Sequence, residues 1–209
     1  MANLSLIHRF IPATQPGLPT LLLLHGTGGD ENDLLDLGGT LLPGAARLSP
    51  RGNVLENGMP RFFRRIAPNV FDIEDLKKRT TELAGFVRLA ADTYQFDAAK
   101  VIAVGYSNGA NIAVSLMLLE PDVLTGGILL RAMVPLVPEK QPDLTGKSVL
   151  LMEGRFDQYV PVAQAEALAN LLRSSGADVT LQWQETGHGL TAGEFDEARD
   201  WLAGVTKKL

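Results

Sequence analysis

Apolar positions along the chain fall into short runs separated by longer segments of helical spacing. The runs Leu4–Ile11, Thr20–Leu24, Ala46–Ser49, Val101–Val104, Gly127–Leu130, Val149–Met152 and Val179–Trp183 predict strands. Several of them, Leu21–Leu24 among them, are continuously apolar, the pattern of strands covered on both faces. Between them, Glu31–Leu42, Ile73–Tyr94, Ala110–Leu119, Val162–Ser174 and Glu194–Val205 predict helices. The second of these opens on Asp72, with Glu74 and Asp75 in its first turn, where a helix favours capping and acidic side chains. Alternation of strand and helix predicts an α/β fold, a mostly parallel sheet of about seven strands flanked by helices on both faces. No repeat, low-complexity tract or linker divides residues 1–209, so a single domain is expected. The stretch 43–69 lacks periodicity and is rich in Gly, Pro, Asn and Arg. An irregular segment of that length in a compact domain is expected to cover or bind at a functional site.

Composition narrows the chemistry. With no cysteine, thiolate metal sites, disulfides and cysteine nucleophiles are all excluded. No cluster of histidines and carboxylates suggests a catalytic metal, and no cofactor is called for. Nineteen basic against twenty-four acidic residues give a net charge of −5, which disfavours nucleic acid as the main partner. No apolar run approaches the ~20 residues needed to span a bilayer, so no membrane insertion is expected. Met1–Pro12 carries His8 and Arg9 in its apolar stretch with no basic run before it, so a cytoplasmic chain is expected.

The strongest local signal is Gly105-Tyr106-Ser107-Asn108-Gly109, between a predicted strand and a predicted helix. That is the setting of a nucleophile elbow, where a serine projects from a sharp strand-to-helix turn. A free hydroxyl is a poor nucleophile at neutral pH and needs a base. Of three histidines, His8 lies in the first strand and His25 ends the second. His188 stands in a loop beyond the Val179–Trp183 strand, where an imidazole can reach the serine. A carboxylate between Ser and His completes the order Ser, Asp/Glu, His, and Asp157 follows the Val149–Met152 strand. Glu153 is its rival at that strand's end. Oxyanion donors are expected from the N–H of Asn108 and from Thr27 in His25-Gly26-Thr27-Gly28-Gly29. Nucleotide-binding readings fail, because Glu31 stands where a dinucleotide fingerprint needs glycine, and Gln141 opens the would-be P-loop before Gly146-Lys147-Ser148.

Together, Leu23-Leu24-His25-Gly26-Thr27-Gly28-Gly29, Gly105–Gly109, Asp157-x-x-Val160-Pro161 and Gly187-His188 resemble the phospholipase/carboxylesterase family of α/β-hydrolases. That family includes acyl-protein thioesterases and small bacterial carboxylesterases. The stretch Arg51–Arg65 looks most like the bacterial branch linked to hydroquinone resistance. The resemblance implies Ser107 as nucleophile, Asp157 as orienter, His188 as base, and Thr27 and Asn108 as oxyanion donors. It also implies a cofactor-free serine carboxylesterase acting on small-molecule esters, often a homodimer. The alternatives are an acyl thioesterase or lysophospholipase of the same fold, or a binding protein on that fold. Where the thioesterase branch carries Ser-Trp-Phe-Asp after Met-Pro, this chain has Arg61-Phe62-Phe63-Arg64, so ester hydrolysis carries over and lipid or thioester preference does not.

In relatives that segment covers the acyl site, so the resemblance implies that Leu55, Met59, Phe62 and Phe63, with Met133 and Leu136 beyond a strand end nearby, form a short apolar acyl pocket. Residues 47–65 also hold five arginines against one acid, Glu56. Those arginines either attract anionic or aromatic substrates, or pair with acidic positions such as Asp72–Asp75 and subunit contacts.

Overall fold

The computed structural model describes residues 4–207. Eleven strands and five α-helices follow one another. The first half runs β1 (His8–Ile11), β2 (Thr20–Leu24), α1 (Leu35–Leu41), β3 (Arg47–Pro50), β4 (Val54–Glu56), β5 (Met59–Arg61), β6 (Arg65–Ala67), β7 (Val70–Phe71) and α2 (Ile73–Tyr94). The second half runs β8 (Val101–Tyr106), α3 (Asn108–Leu119), β9 (Gly126–Leu130), β10 (Ser148–Gly154), α4 (Val162–Ser174), β11 (Asp178–Gln184) and α5 (Ala192–Thr206). Seven strands form the main sheet in the order β1-β3-β2-β8-β9-β10-β11. Only β1 pairs antiparallel, against β3, and every other pairing in this sheet is parallel.

The continuously apolar strands are buried on both sides, and the two-residue period sorts their side chains between two cores. Leu22, Leu24, Ala103, Leu129 and Leu151 pack beneath α2, α3 and α4, with Leu83, Ile112 and Leu168. Leu21, Leu23, Ile102, Val104, Ile128 and Met152 face α1 and α5, with Leu41, Ala198 and Leu202. Among the described residues, no helix is long and apolar enough to cross a membrane.

Three expectations are corrected. The first strand begins at His8 rather than Leu4, and α1 begins at Leu35 rather than Glu31. There Asp30 captures the Asn32 N–H through its side chain at 2.7 Å, offering the backbone an alternative to the helix. The irregular stretch 43–69 contains β3, the small hairpin β4-β5 and the first strand of a second hairpin, β6-β7. Asn57 and Gly58, with φ of 52° and 82°, form the two-residue turn of the first hairpin.

Chain order places the functional end. From β2 the sheet grows outward to β3 and β1, then restarts on the other side with β8. The gap between the carboxyl ends of β2 and β8 is therefore a topological switch point, where α/β folds bind ligands. The loop His25–Gly29 leaves one side of it and Ser107 the other.

Candidate active site

Ser107 sits between β8 and α3 with φ 52° and ψ −112°, a left-handed region costly for a residue with a Cβ. The turn is held by the Ser107 N–H on the Leu130 carbonyl at 2.8 Å and by the Asn111 N–H on the Ser107 carbonyl at 3.0 Å. Gly109 makes the geometry possible: a Cβ there would collide with the Leu24 and His25 carbonyls. The first turn of α3 therefore lies directly against the end of β2, bringing the elbow to the His25–Gly29 loop.

His188 reaches this serine from the loop after β11. Its Nε2 lies 2.9 Å from Ser107 Oγ and its Nδ1 lies 2.7 Å from Asp157 Oδ2. A carboxylate at Nδ1 fixes the proton there, so Nε2 is free to accept from the serine hydroxyl. Asp157 is itself held, its Oδ1 accepting the N–H groups of Tyr159 and Val160 at 2.7 and 3.1 Å. Its side chain is fully shielded from solvent. The rings of Tyr106 and Tyr159 flank the imidazole, with centroids 5.4 and 5.0 Å away, and the Tyr106 hydroxyl donates to the His188 carbonyl at 3.1 Å.

The rivals are placed elsewhere. His25 is buried: its Nδ1 donates to the Gly26 carbonyl at 2.7 Å and its Nε2 accepts the Gly52 N–H at 2.9 Å. Desolvation lowers its pKa, so it stays neutral and ties the loop to residue 52. His8 bonds Tyr94 and the Leu6 carbonyl. Glu153 lies fully buried within β10, and its Oε1 accepts the Ala132 N–H at 2.9 Å. Burial pushes its carboxyl well above the usual range, which disfavours the charged form beside the site.

Arg131 is a residue that sequence reasoning missed. It is completely buried and adopts φ 59° just past β9. Its guanidinium donates to the Gly187 carbonyl (3.1 Å), the Gly189 carbonyl (2.8 Å), the Met152 carbonyl (2.9 Å) and Glu194 Oε1 (2.7 Å). It thus grips the backbone on both sides of His188 and joins that loop to α5. Its one signal in the sequence is a charge directly after the apolar run Ile128-Leu129-Leu130.

At the other margin, the N–H groups of Thr27 and Asn108 make no hydrogen bond to the described residues. They are the two donors expected to receive an oxyanion. The hairpins lean on this corner. Gly28 N–H donates to the Pro60 carbonyl at 2.9 Å, Phe62 N–H to Asn108 Oδ1 at 2.7 Å, and Arg61 Nη1 to Thr27 Oγ1 at 2.6 Å.

A cavity of about 270 Å³ opens at Ser107, and its lining differs from the expected apolar pocket. Of the six residues expected there, only Met133 lines it. Leu55 is 70% exposed and Met59 41% exposed on the first hairpin. Phe62 is buried against His25 (4.7 Å between centroids), and Phe63 is buried edge-on to Phe71 (5.1 Å). Leu136 belongs to the core and to a separate surface groove with Ile73 and Val137. The cavity is instead faced by Arg61, Arg65, Asn69 and Asn111, with Phe71 and Val160 supplying apolar surface.

Pairing with acidic positions elsewhere in the chain holds for two of the five arginines, Arg51 and Arg64. Arg51 pairs with Glu31 and Asp30, Arg64 with Asp72 and Asp75, and Arg47 donates to the Leu35 carbonyl. Arg61 and Arg65 share Glu56 at the cavity. The Arg65 hydrogen bond, ahead of a desolvation cost, holds the Glu56 carboxyl below its ordinary value.

Comparison with known proteins agrees with this architecture. The family model described as Phospholipase/Carboxylesterase matches residues 7–206. The Bacillus subtilis protein MhqD is 51% identical over 181 residues, covering 87% of this chain and 90% of its own. A Bacillus cereus carboxylesterase structure superposes with a TM-score of 0.94 at 46% identity, over 96% of this chain and 95% of that one. A carboxylesterase from Mesorhizobium loti gives 0.84 at 33% identity, over 91% and 90% of the two chains. The α/β sheet, the elbow at its switch point and these likenesses lead to one conclusion: the chain belongs to the phospholipase/carboxylesterase family of α/β-hydrolases.

Proposed function

We propose that the protein is a serine carboxylesterase that cleaves small esters through an acyl-enzyme. The observation carrying this reading is the unbroken relay Asp157–His188–Ser107, with contacts of 2.7 and 2.9 Å, ending on a serine in strained backbone. As Ser107 Oγ attacks the ester carbonyl carbon, its proton passes to His188 Nε2. The Nδ1–H bond to Asp157 holds the tautomer and favours the imidazolium that forms. The carbonyl oxygen becomes an oxyanion beside the free N–H groups of Thr27 and Asn108, donors worth about 3–4 kcal/mol each to such a transition state. Collapse breaks the ester C–O bond, and His188 returns the proton to the departing alcohol. Water then repeats the sequence on the acyl-serine, releasing the acid and restoring the hydroxyl.

The test is covalent capture. A fluorophosphonate should label wild-type protein on the peptide bearing Ser107, and 4-nitrophenyl acetate should be turned over by it. Labelling elsewhere, or equal turnover by Ser107→Ala, contradicts the assignment.

A further inference from the structure

Three arginines, Arg61, Arg65 and Arg131, line the cavity, and no carboxylate lines it among the described residues. Arg131 is matched by Glu194 inside the core, at 2.7 Å. The other two have one carboxylate between them. Arg65 takes Glu56 through Nε and Nη2 at 2.6 to 3.1 Å, leaving Arg61 with a 3.4 Å approach to the same group. The Nε that makes this approach donates to the Phe63 carbonyl, and Nη1 donates to Thr27 Oγ1. Its Nη2 and the Nη1 of Arg65 make no hydrogen bond to the described residues. The Arg61 side chain is only 4% exposed. A guanidinium carries five N–H donors and keeps its charge in proteins, so donors without a protein partner beside a cavity are free to receive an anion.

We propose that this site takes short esters that also carry a carboxylate, which the arginine pair Arg61 and Arg65 receives while the ester carbonyl lies at Ser107. This rests on the serine esterase reading and names its substrate class. A carboxylate matches the planar guanidinium in charge and shape. The cavity of about 270 Å³ has room for a half-ester of a small diacid. Phe71, Met133 and Val160 provide the limited apolar surface that the connecting methylenes need.

Two substrate pairs locate the charge. Monomethyl succinate against methyl butyrate places it in the acyl part, and 4-acetoxybenzoate against 4-methylphenyl acetate places it in the leaving group. In wild-type protein the charged member of at least one pair should have the higher kcat/KM, by roughly ten- to a hundredfold, the range of a charge-assisted hydrogen bond. That ratio should fall at least tenfold in Arg65→Gln, which removes the surplus charge without touching Thr27. Equal or lower values for the charged member in both pairs, with neutral esters turned over, would overturn the proposal and leave the esterase reading standing. If Arg65→Gln does not fold, as judged by circular dichroism, competitive inhibition of the wild type decides. Succinate should then inhibit at least tenfold more strongly than the uncharged succinamide, and equal inhibition counts against the site. If the wild type cleaves no ester at all, the esterase reading fails. Calorimetry of Ser107→Ala with monomethyl succinate and methyl butyrate then decides the anion site alone: binding of only the former supports it, and equal or no binding refutes it.

Discussion

The loops that carry Ser107, Asp157 and His188 are fixed mainly by backbone hydrogen bonds, whereas the hairpins of residues 54–71 are fixed largely by ion pairs. On the first side, Ser107 hangs from the Leu130 carbonyl, Asp157 from the Tyr159 and Val160 amides, and the His188 loop from Arg131. On the second, Glu56 binds Arg61 and Arg65, and Arg64 binds Asp72. Backbone partners survive most side-chain substitutions, so Ser107 and Asp157 keep their places while the facing wall is free to vary, and on the first side the His188 loop alone hangs on a side chain, Arg131.

The most severe break of the first side is Ser107→Ala, which should lower kcat for 4-nitrophenyl acetate by roughly 10⁴- to 10⁶-fold. Thermal unfolding should change little, and Ser107→Gly should unfold at higher temperature because glycine accepts φ 52° without strain. A Ser107→Gly protein less stable than the wild type would show that the elbow stores no strain.

Next comes Arg131→Met, which strands the buried Glu194 and frees the carbonyls flanking His188. Removing one partner of a buried pair costs about 3–5 kcal/mol. Urea unfolding should report a loss of that order, and the Arg131→Met/Glu194→Gln double variant should recover part of it. In whichever variant folds, kcat should fall more than KM changes, because only the base's placement is disturbed. Unchanged kcat would detach Arg131 from the relay.

A smaller effect concerns the tie between the two sides, His25. In the folded protein its pKa is depressed, so on acidification the unfolded chain takes up a proton that the folded one resists. Stability should therefore fall as pH drops through about 6.5, by at most about 1.4 kcal/mol per pH unit. Urea midpoints measured from pH 8 to 5 should lose that part of their slope in His25→Asn. Identical slopes would mean that His25 titrates alike in both states.

The mildest change is Leu55→Ala on the outer face of the first hairpin. Stability should move by less than about 0.5 kcal/mol and the dependence on acyl length not at all. A shifted chain-length profile would return Leu55 to the acyl site.

Legibility in the sequence divides along the same line. Ser107 and Asp157 follow continuously apolar strands and His188 follows the alternating run Val179–Trp183, so the position of all three at one end of the sheet could be read from the pattern. The hairpin strands, two or three residues long, are too short to display a period. Asn57-Gly58 was the available signal for the first, since that pair favours a two-residue hairpin turn. Once paired, Val54 stands opposite Arg61 facing inward, and Leu55 opposite Pro60 facing out. The segment that covers the site in relatives suggests Leu55 for the pocket, and the pleat turns Leu55 outward with Pro60 while Arg61 turns inward with Val54. Arg131 was hidden for a different reason: a lone charge beyond a strand carries no mark of the carbonyls that surround it.

The pairing of β2 with β8 has a consequence for the time course of folding. It joins Thr20 to Val101 and Leu24 to Gly105, positions about 80 residues apart in the chain. Helices such as α2 form locally within about a microsecond, but this pairing must first close a loop containing α1, β3, both hairpins and α2. Contacts so distant in sequence are characteristic of slow folding steps. The Thr27 loop and Ser107 face each other only once that closure is complete. During refolding, helical signal accordingly returns early and hydrolytic activity last, and on the ribosome the Thr27 loop emerges several seconds before Ser107, at about 5–20 residues per second.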